Sequence, residues 1–254
     1  MGGRRFGTTA RKVDGGYVVS GRKFFVSLAG CAPYFATPAI LLADGPWIER
    51  TLYLQVPRDA PGVSFPGDWD PMGMRGTVSR DMQLQDVFVP DEGEVLPPGT
   101  FGAMYNAFPQ LSPLTFGATF LGLMQAAYDG AIAYLSGHMT GAPGLHTEAA
   151  VKGHAVAEML FTLEGTRALY YRAISEARVG APPDAVQRAR AAHVSVQRGA
   201  VSVTQEAIRV CGGRGLLKRY PLERYARDAR AGALMRPWTQ EIATQQAWEA
   251  ALSL

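Results

Sequence analysis

Cysteine is nearly absent from this chain: Cys31 and Cys211 are the only two among 254 residues, and they lie far apart. A disulfide framework is excluded, and a reducing, cytoplasmic setting is the default expectation. Histidine is almost as scarce. His138, His146, His154 and His193 lack Cys or carboxylate neighbours at metal-ligand spacing, so no metal is expected and the four read as surface or cap residues. There is no Gly-x-Ser-x-Gly elbow, no Walker loop, and no pattern supporting a Cys–His pair. The formal net charge of +3 is too small to argue for nucleic acid. The longest apolar run, "LTFGATFLGLMQAAYDGAIAYL", is broken by Asp129 and by glycines. A membrane span needs about 20 mostly apolar residues, so a buried helix is expected instead. The opening "MGGRRFGTT" has no apolar signal core, and Phe6 breaks the myristoylation pattern.

What is present is core-forming material: 47% apolar and 19% charged residues, a globular balance. The two parts of the chain carry different periods. In "ARKVDGGYVVSGRKFFVSLAG" the residues Asp14-Gly15-Gly16 separate two strand-like runs, as a hairpin requires. "YFATPAILLA" and "RTLYLQVP" follow. In "GTVSRDMQLQDVFVP", Met82, Leu84, Val87 and Val89 alternate with polar residues, with a slip near Asp86 that fits a bulge. An antiparallel sandwich or barrel is predicted.

Beyond "DEGEVLPPGTFG" apolar residues recur at three and four. Helices are predicted over 108–137, 147–179 and 183–210, with two shorter ones later; Val156, Leu160, Leu163, Tyr170 and Ile174 mark one apolar stripe. Pro183 and Asp184 suit a helix start. The predicted class is α+β: a β domain over 1–98, then an antiparallel helical bundle over 99–254.

The glycines of "RVCGGRGLLKRYPLERYARDAR" follow a helix rather than a strand, which excludes a dinucleotide loop. Two readings stay open: a plain helix C-cap, or a corner where the missing side chains let a ligand approach the backbone.

This segment resembles the acyl-CoA dehydrogenase family, in which Gly-Gly-x-Gly is followed by Pro-Leu-x-Arg and Arg-Asp-Ala-Arg. "GGYVVSGRKFFVSLAG", "MGMRGTVSRDMQLQDVFVP" and "FLGLMQAAYDGAIAYL" resemble three further family stretches in the same order, so that the resemblance runs over nearly the whole chain. The resemblance implies a flavoprotein with a middle β domain and a C-terminal bundle. It implies FAD as cofactor, with Phe25, Val26 and Ser27 on the flavin and Gly212 and Gly213 near its diphosphate, usually on a neighbouring subunit. Arg209 stands where a Gln is usual, and two readings stay open: a partner for a diphosphate or a solvated helix residue. Thr239 and Glu241 in "WTQEI" match a Thr-x-Glu-Ile near the flavin, though Thr239 is also a good N-cap. Arg227 and Asp228 read as structural ion-pair residues.

The implied reaction is α,β-dehydrogenation of an acyl thioester, on coenzyme A or a carrier protein, by a homo-oligomer or a hetero-oligomer with a related subunit. The pattern then departs. The usual position of the proton-abstracting Glu holds Arg236 or Pro237, and the alternative position on the first bundle helix holds Ser112. Glu241 is the nearest carboxylate. The Arg and Phe-Gly expected after that helix are replaced by His138 and lost, and the Gln of the next helix falls near Ala149 or Ala150. The family's N-terminal helical domain has no counterpart in this sequence. Three readings follow: an acyl-CoA dehydrogenase-like enzyme, truncated or partner-dependent; a non-catalytic subunit completing a flavin site in an oligomer; and a flavin monooxygenase on the same fold.

Overall fold

Gly15, at a φ of 70°, turns the chain between the first two strands. A computed structural model describes residues 7–142, 144, 149–234 and 239–252. The hairpin pairs β1 (Thr8–Val13) with β2 (Gly16–Val26), and its register runs from Thr8 opposite Gly21 to Val13 opposite Gly16. β3 (Tyr34–Leu41), β4 (Thr51–Pro57), β5 (Val63–Ser64), β6 (Arg80–Pro90) and β7 (Glu94–Leu96) complete one sheet in the order β5-β6-β2-β1-β3-β4-β7. The class is α+β as expected, with an antiparallel sheet preceding the helices. The sheet is open rather than closed, and β1 runs parallel to β3 at Thr9–Ile40 and Ala10–Leu41.

Alternation sets the sheet's buried face. Met82, Leu84, Val87 and Val89 are all at most 1% exposed, although a strict period of two would break between 84 and 87. A bulge resolves this. Between the pairs Val19–Val87 and Gly21–Leu84, β6 holds one residue more than β2. Asp86 takes a φ of 50° there, and its amide and carboxylate both bond the Ser20 hydroxyl. A second bulge lies on β2, between Lys23–Met82 and Val26–Arg80. Its residue Phe25 sits at a φ of 57°.

The chain divides into two compact units. One holds residues up to Pro71 together with Arg75–Ala107; the other holds Met72–Met74 with residues from Phe108 on. α1 (Thr100–Ala107) groups with the sheet, where Phe101 stacks on Tyr53 at 5.3 Å. The sequence predicts one helix over 108–137. Pro109 disfavours helical geometry at Phe108, and α2 begins only at Leu111, running to Leu135.

α3 (Ala149–Ser175), α4 (Pro183–Cys211), α5 (Leu222–Gly232) and α6 (Gln240–Leu252) follow. α4 is the central helix. Its buried face is mostly Ala and Val, from Ala189 through Ala192, Val196, Ala200 and Val203 to Ala207. Small side chains let α2 and α3 pack close to it. On α3 the buried stripe is Ala155, Met159, Leu163, Thr166, Tyr170 and Ala173. The predicted stripe shares Leu163 and Tyr170 with it; Ile174 is instead 44% exposed. No described helix is long and apolar enough to cross a membrane, and no described His, Cys, Asp or Glu residues group as a metal site.

Candidate functional site

In the sheet unit, the candidate residues stand on strained backbone. Phe25 is 74% exposed and Leu28, three residues on, has a φ of 61°. Opposite them Val78 has a φ of 45°. Left-handed backbone at a bulky or β-branched residue costs on the order of 1–3 kcal/mol and persists where its surroundings enforce it, often at ligand sites. Backbone bonds do the enforcing here: Leu28 N–H to Thr77 O at 2.8 Å and Ala29 N–H to Val78 O at 3.1 Å. The hydroxyls of Ser27 and Ser79 meet at 3.0 Å, and that of Thr77 reaches Ser79 at 2.7 Å. Val26 is half-buried and Ser27 exposed.

Beside this lip lies an open cleft of about 220 Å³, lined by Arg22, Phe25, Trp69, Ser79, Arg80 and Asp81 among others. Trp69 meets Phe25 edge to face, with ring centroids 6.3 Å apart, and its indole N–H is anchored on Arg75 O at 3.0 Å. Arg22 pairs with Asp81, and Arg80 donates to Phe65 O, so these guanidiniums are engaged. The cleft offers an aromatic wall from Phe25 and Trp69, the Ser79 hydroxyl and the carboxylates of Asp68 and Asp81. Its volume lies below the roughly 300–1,000 Å³ of complete ligand pockets, so by itself it is only part of one. Deeper in the sheet unit, burial pulls the Lys23 ammonium down to about 8, and its Nζ donates to Pro38 O.

In the bundle unit, Gly212 caps α4 with a φ of 72°, and its N–H returns to Arg209 O at 3.2 Å. The cap reading accounts for Gly212. It does not account for Gly213, which has no left-handed φ and where an added Cβ would meet nothing within 4 Å. Gly213 is an exposed corner whose lack of a side chain serves nothing inside the unit, which fits close approach by an external group. Arg209 is exposed and pairs with Glu206 at 2.7 Å.

Arg227 forms a two-point ion pair with Glu223, at 2.6 and 3.1 Å, and donates to Met72 O at 2.7 Å. Asp228 accepts the Met74 amide at 2.6 Å, so its partner is a backbone N–H. Gly73 lies so close to Arg227 O that a Cβ would overlap it. The Met-Gly-Met triplet and the Arg-Asp pair, distant in sequence, thus form one packed contact.

Of the positions expected to hold a catalytic base, Ser112 and Glu241 fall among the described residues. Ser112 is 7% exposed, in the first turn of α2, and its hydroxyl is buried without a hydrogen-bond partner among the described residues. Arg236 and Pro237 lie outside the described residues, as do the side chains of Ala149 and Ala150. Thr239 accepts the Ala243 amide at 3.2 Å and is half-buried. Glu241 is exposed in the first turn of α6. The expectation that the histidines sit on the surface holds for His138 and His154. It fails for His193, which is 3% exposed. α4 is enclosed on most of its circumference, so a polar residue on it is buried too. His146 lies outside the described residues. Trp69 was missed because nothing in its local pattern marks it; only the fold brings it to Phe25.

Two family models match the chain: the acyl-CoA dehydrogenase middle domain over residues 4–87 and the acyl-CoA dehydrogenase C-terminal domain over residues 111–250. The chain belongs to the acyl-CoA dehydrogenase family. YdbM of Bacillus subtilis (strain 168), named provisionally as an acyl-CoA dehydrogenase, is 32% identical over 98% of this chain and 64% of its own length. L-evernosamine nitrososynthase of a Micromonospora species is 30% identical over 89% of this chain and 55% of its own length. Among solved structures, KijD3 in complex with FMN and a dTDP-linked amino sugar superimposes with a TM-score of 0.82 at 27% identity, covering 97% of this chain and 62% of that one. The chain spans between about half and two thirds of the length of these relatives.

Proposed function

We propose that this chain is the flavin-binding part of an oxidoreductase, with FAD as its cofactor, acting as an oligomer. The observation that carries this reading is the lip Phe25–Val26–Ser27, where the exposed Phe25 ring is held in left-handed backbone at a bulge beside an open cleft. Phe25 would face the edge of the isoalloxazine, the Ser27 hydroxyl would offer a hydrogen bond, and the corner that Gly212 turns would present the Gly213 amide to phosphate. Arg209 can exchange its surface pair with Glu206 for a diphosphate, because such a pair is worth little in water.

When bound, the flavin supplies hydride acceptance. The reaction we propose first is α,β-dehydrogenation of an acyl thioester, on coenzyme A or a carrier protein. It requires a carboxylate that removes the α proton, and Glu241 is the weak candidate in this chain. A second reading is favoured by a specific observation: Ser112 and Arg236 or Pro237 stand at both family base positions, and one relative is named a nitrososynthase. Oxygen-dependent oxidation of an amine or an aromatic substrate needs no α-proton base.

Purification of the chain tests the first layer. A bound yellow chromophore released as FAD is the expected result, and a colourless protein that takes up neither FAD nor FMN refutes flavin binding. Anaerobic reduction by acyl thioesters then separates the reactions. Bleaching without oxygen supports dehydrogenation; oxygen uptake with a reductant and an amine supports the second reading. Neither, with flavin bound, leaves a non-catalytic subunit.

A further inference from the structure

One stretch of α4 holds three other segments of the bundle unit. His193 Nδ1 donates to Pro113 O at 3.0 Å, in the first turn of α2. A carbonyl only accepts, so Nδ1 carries the proton, and Nε2 receives a hydrogen from the Gln197 amide at 2.9 Å. The same amide nitrogen donates to Gly232 O at 2.9 Å, at the last residue of α5. Next along, Arg198 Nε donates to Gln240 Oε1 at 3.3 Å, at the first residue of α6. His193 and Gln197 are 3% and 2% exposed. Gly232 is also pressed against Phe120, whose ring an added Cβ would overlap.

Burying an imidazole and a carboxamide costs free energy that hydrogen bonds only offset. Most of the rest of this helix face is Ala and Val, so packing alone does not call for the pair. What the pair adds is direction: its bonds end on particular backbone carbonyls. The start of α2 carries the buried, unpartnered Ser112 hydroxyl, the end of α5 leads to Arg236 and Pro237, and the start of α6 carries Thr239 and Glu241.

We propose that Gln197 is a positioning residue for this end of the bundle. Through its amide, and through His193, it fixes the exit of α5 against the entry of α2. Calling that end reactive rests on the function proposed above; the positional claim does not.

The test is hydrogen–deuterium exchange on the full chain, comparing Gln197→Met and Gln197→Glu with Thr204→Val. The two Gln197 variants keep the side chain's approximate size and lose the donor. Thr204→Val removes a buried hydroxyl elsewhere on α4 that bonds Ala200 O at 2.7 Å, and so reports general loosening. In both Gln197 variants, amides of 230–234 should exchange about tenfold faster or more, with 159–173 unchanged, because one buried carbonyl loses its partner. Wild-type exchange at 230–234 in Gln197→Met, or an equal rise across all peptides as in Thr204→Val, overturns the proposal. Flavin content and substrate-dependent flavin reduction are read on the same samples. Local opening without any wild-type reduction keeps the positioning role and refutes the proposed reaction. Normal protection with impaired reduction does the reverse.

Discussion

The Phe25 lip of the sheet unit and the His193–Gln197 clamp of the bundle unit are built on opposite principles. The lip is exposed and conformationally expensive; Phe25, Leu28 and Val78 all hold left-handed backbone. The clamp is buried, and its hydrogen bonds reach the carbonyls of Pro113 and Gly232. A surface that keeps strain and presents an aromatic ring to solvent is suited to receiving a ligand. A buried polar pair amid Ala and Val is suited to holding segments in place.

The largest expected effect that sharpens this contrast is Gly232→Leu. The new side chain must displace Phe120, and we expect a loss of about 3 kcal/mol or more by overpacking, seen as a lower midpoint in urea denaturation followed by helical circular dichroism. A silent Gly232→Leu would remove the case for a tightly fixed α5 exit. Phe25→Gly should act with the opposite sign on stability. It relieves a left-handed aromatic residue at little cost in burial, so about 1 kcal/mol of stabilisation is expected, together with weaker flavin retention on gel filtration. Destabilisation with unchanged flavin content would make Phe25 structural.

Lys23 gives the contrast a pH dependence. Its folded pKa is lowered to about 8, from 10.5, by burial. Below pH 8 the amine is charged in both states, and its burial weakens the fold by a constant amount. Between pH 8 and 10 the folded state loses the proton first, so this contribution to stability rises with pH. Denaturant midpoints of wild type should gain over that interval relative to Lys23→Met; parallel curves would contradict it. In the bundle, burial pushes the Cys211 thiol up to about 12, so iodoacetamide at pH 8 should label the exposed Cys31 alone until the protein is denatured. The smallest effect belongs to Arg209→Gln. Its exposed pair with Glu206 should be worth less than about 0.5 kcal/mol, while flavin binding should lose salt sensitivity if Arg209 reaches the diphosphate.

The sequence made some of this visible and hid the rest for physical reasons. The Asp86 bulge showed as a slip in alternation, because polar residues flank Met82, Leu84, Val87 and Val89. The Phe25 bulge did not, because Phe24, Phe25 and Val26 are all apolar and an extra residue leaves no mark on such a run. Pro109 announced a break that the surrounding apolar periodicity masked. His193 reads as a surface residue while α4 is taken for an ordinary amphipathic helix. It is buried because α4 is enclosed by α2, α3 and α5. Gly212 and Gly213 were noticed together, yet only the backbone separates them: one is needed for its φ, the other is not. Trp69 had no legible signal.

The hydrogen bond from the Met74 amide to Asp228 joins residues 154 positions apart. On the ribosome, at about 5–20 residues per second, the second partner is made on the order of 10–30 s after the first. Through that interval Met72, Gly73 and Met74 are exposed on a nascent chain without the residues that fix them, a window in which a chaperone or a protease meets this loop before its own helix does.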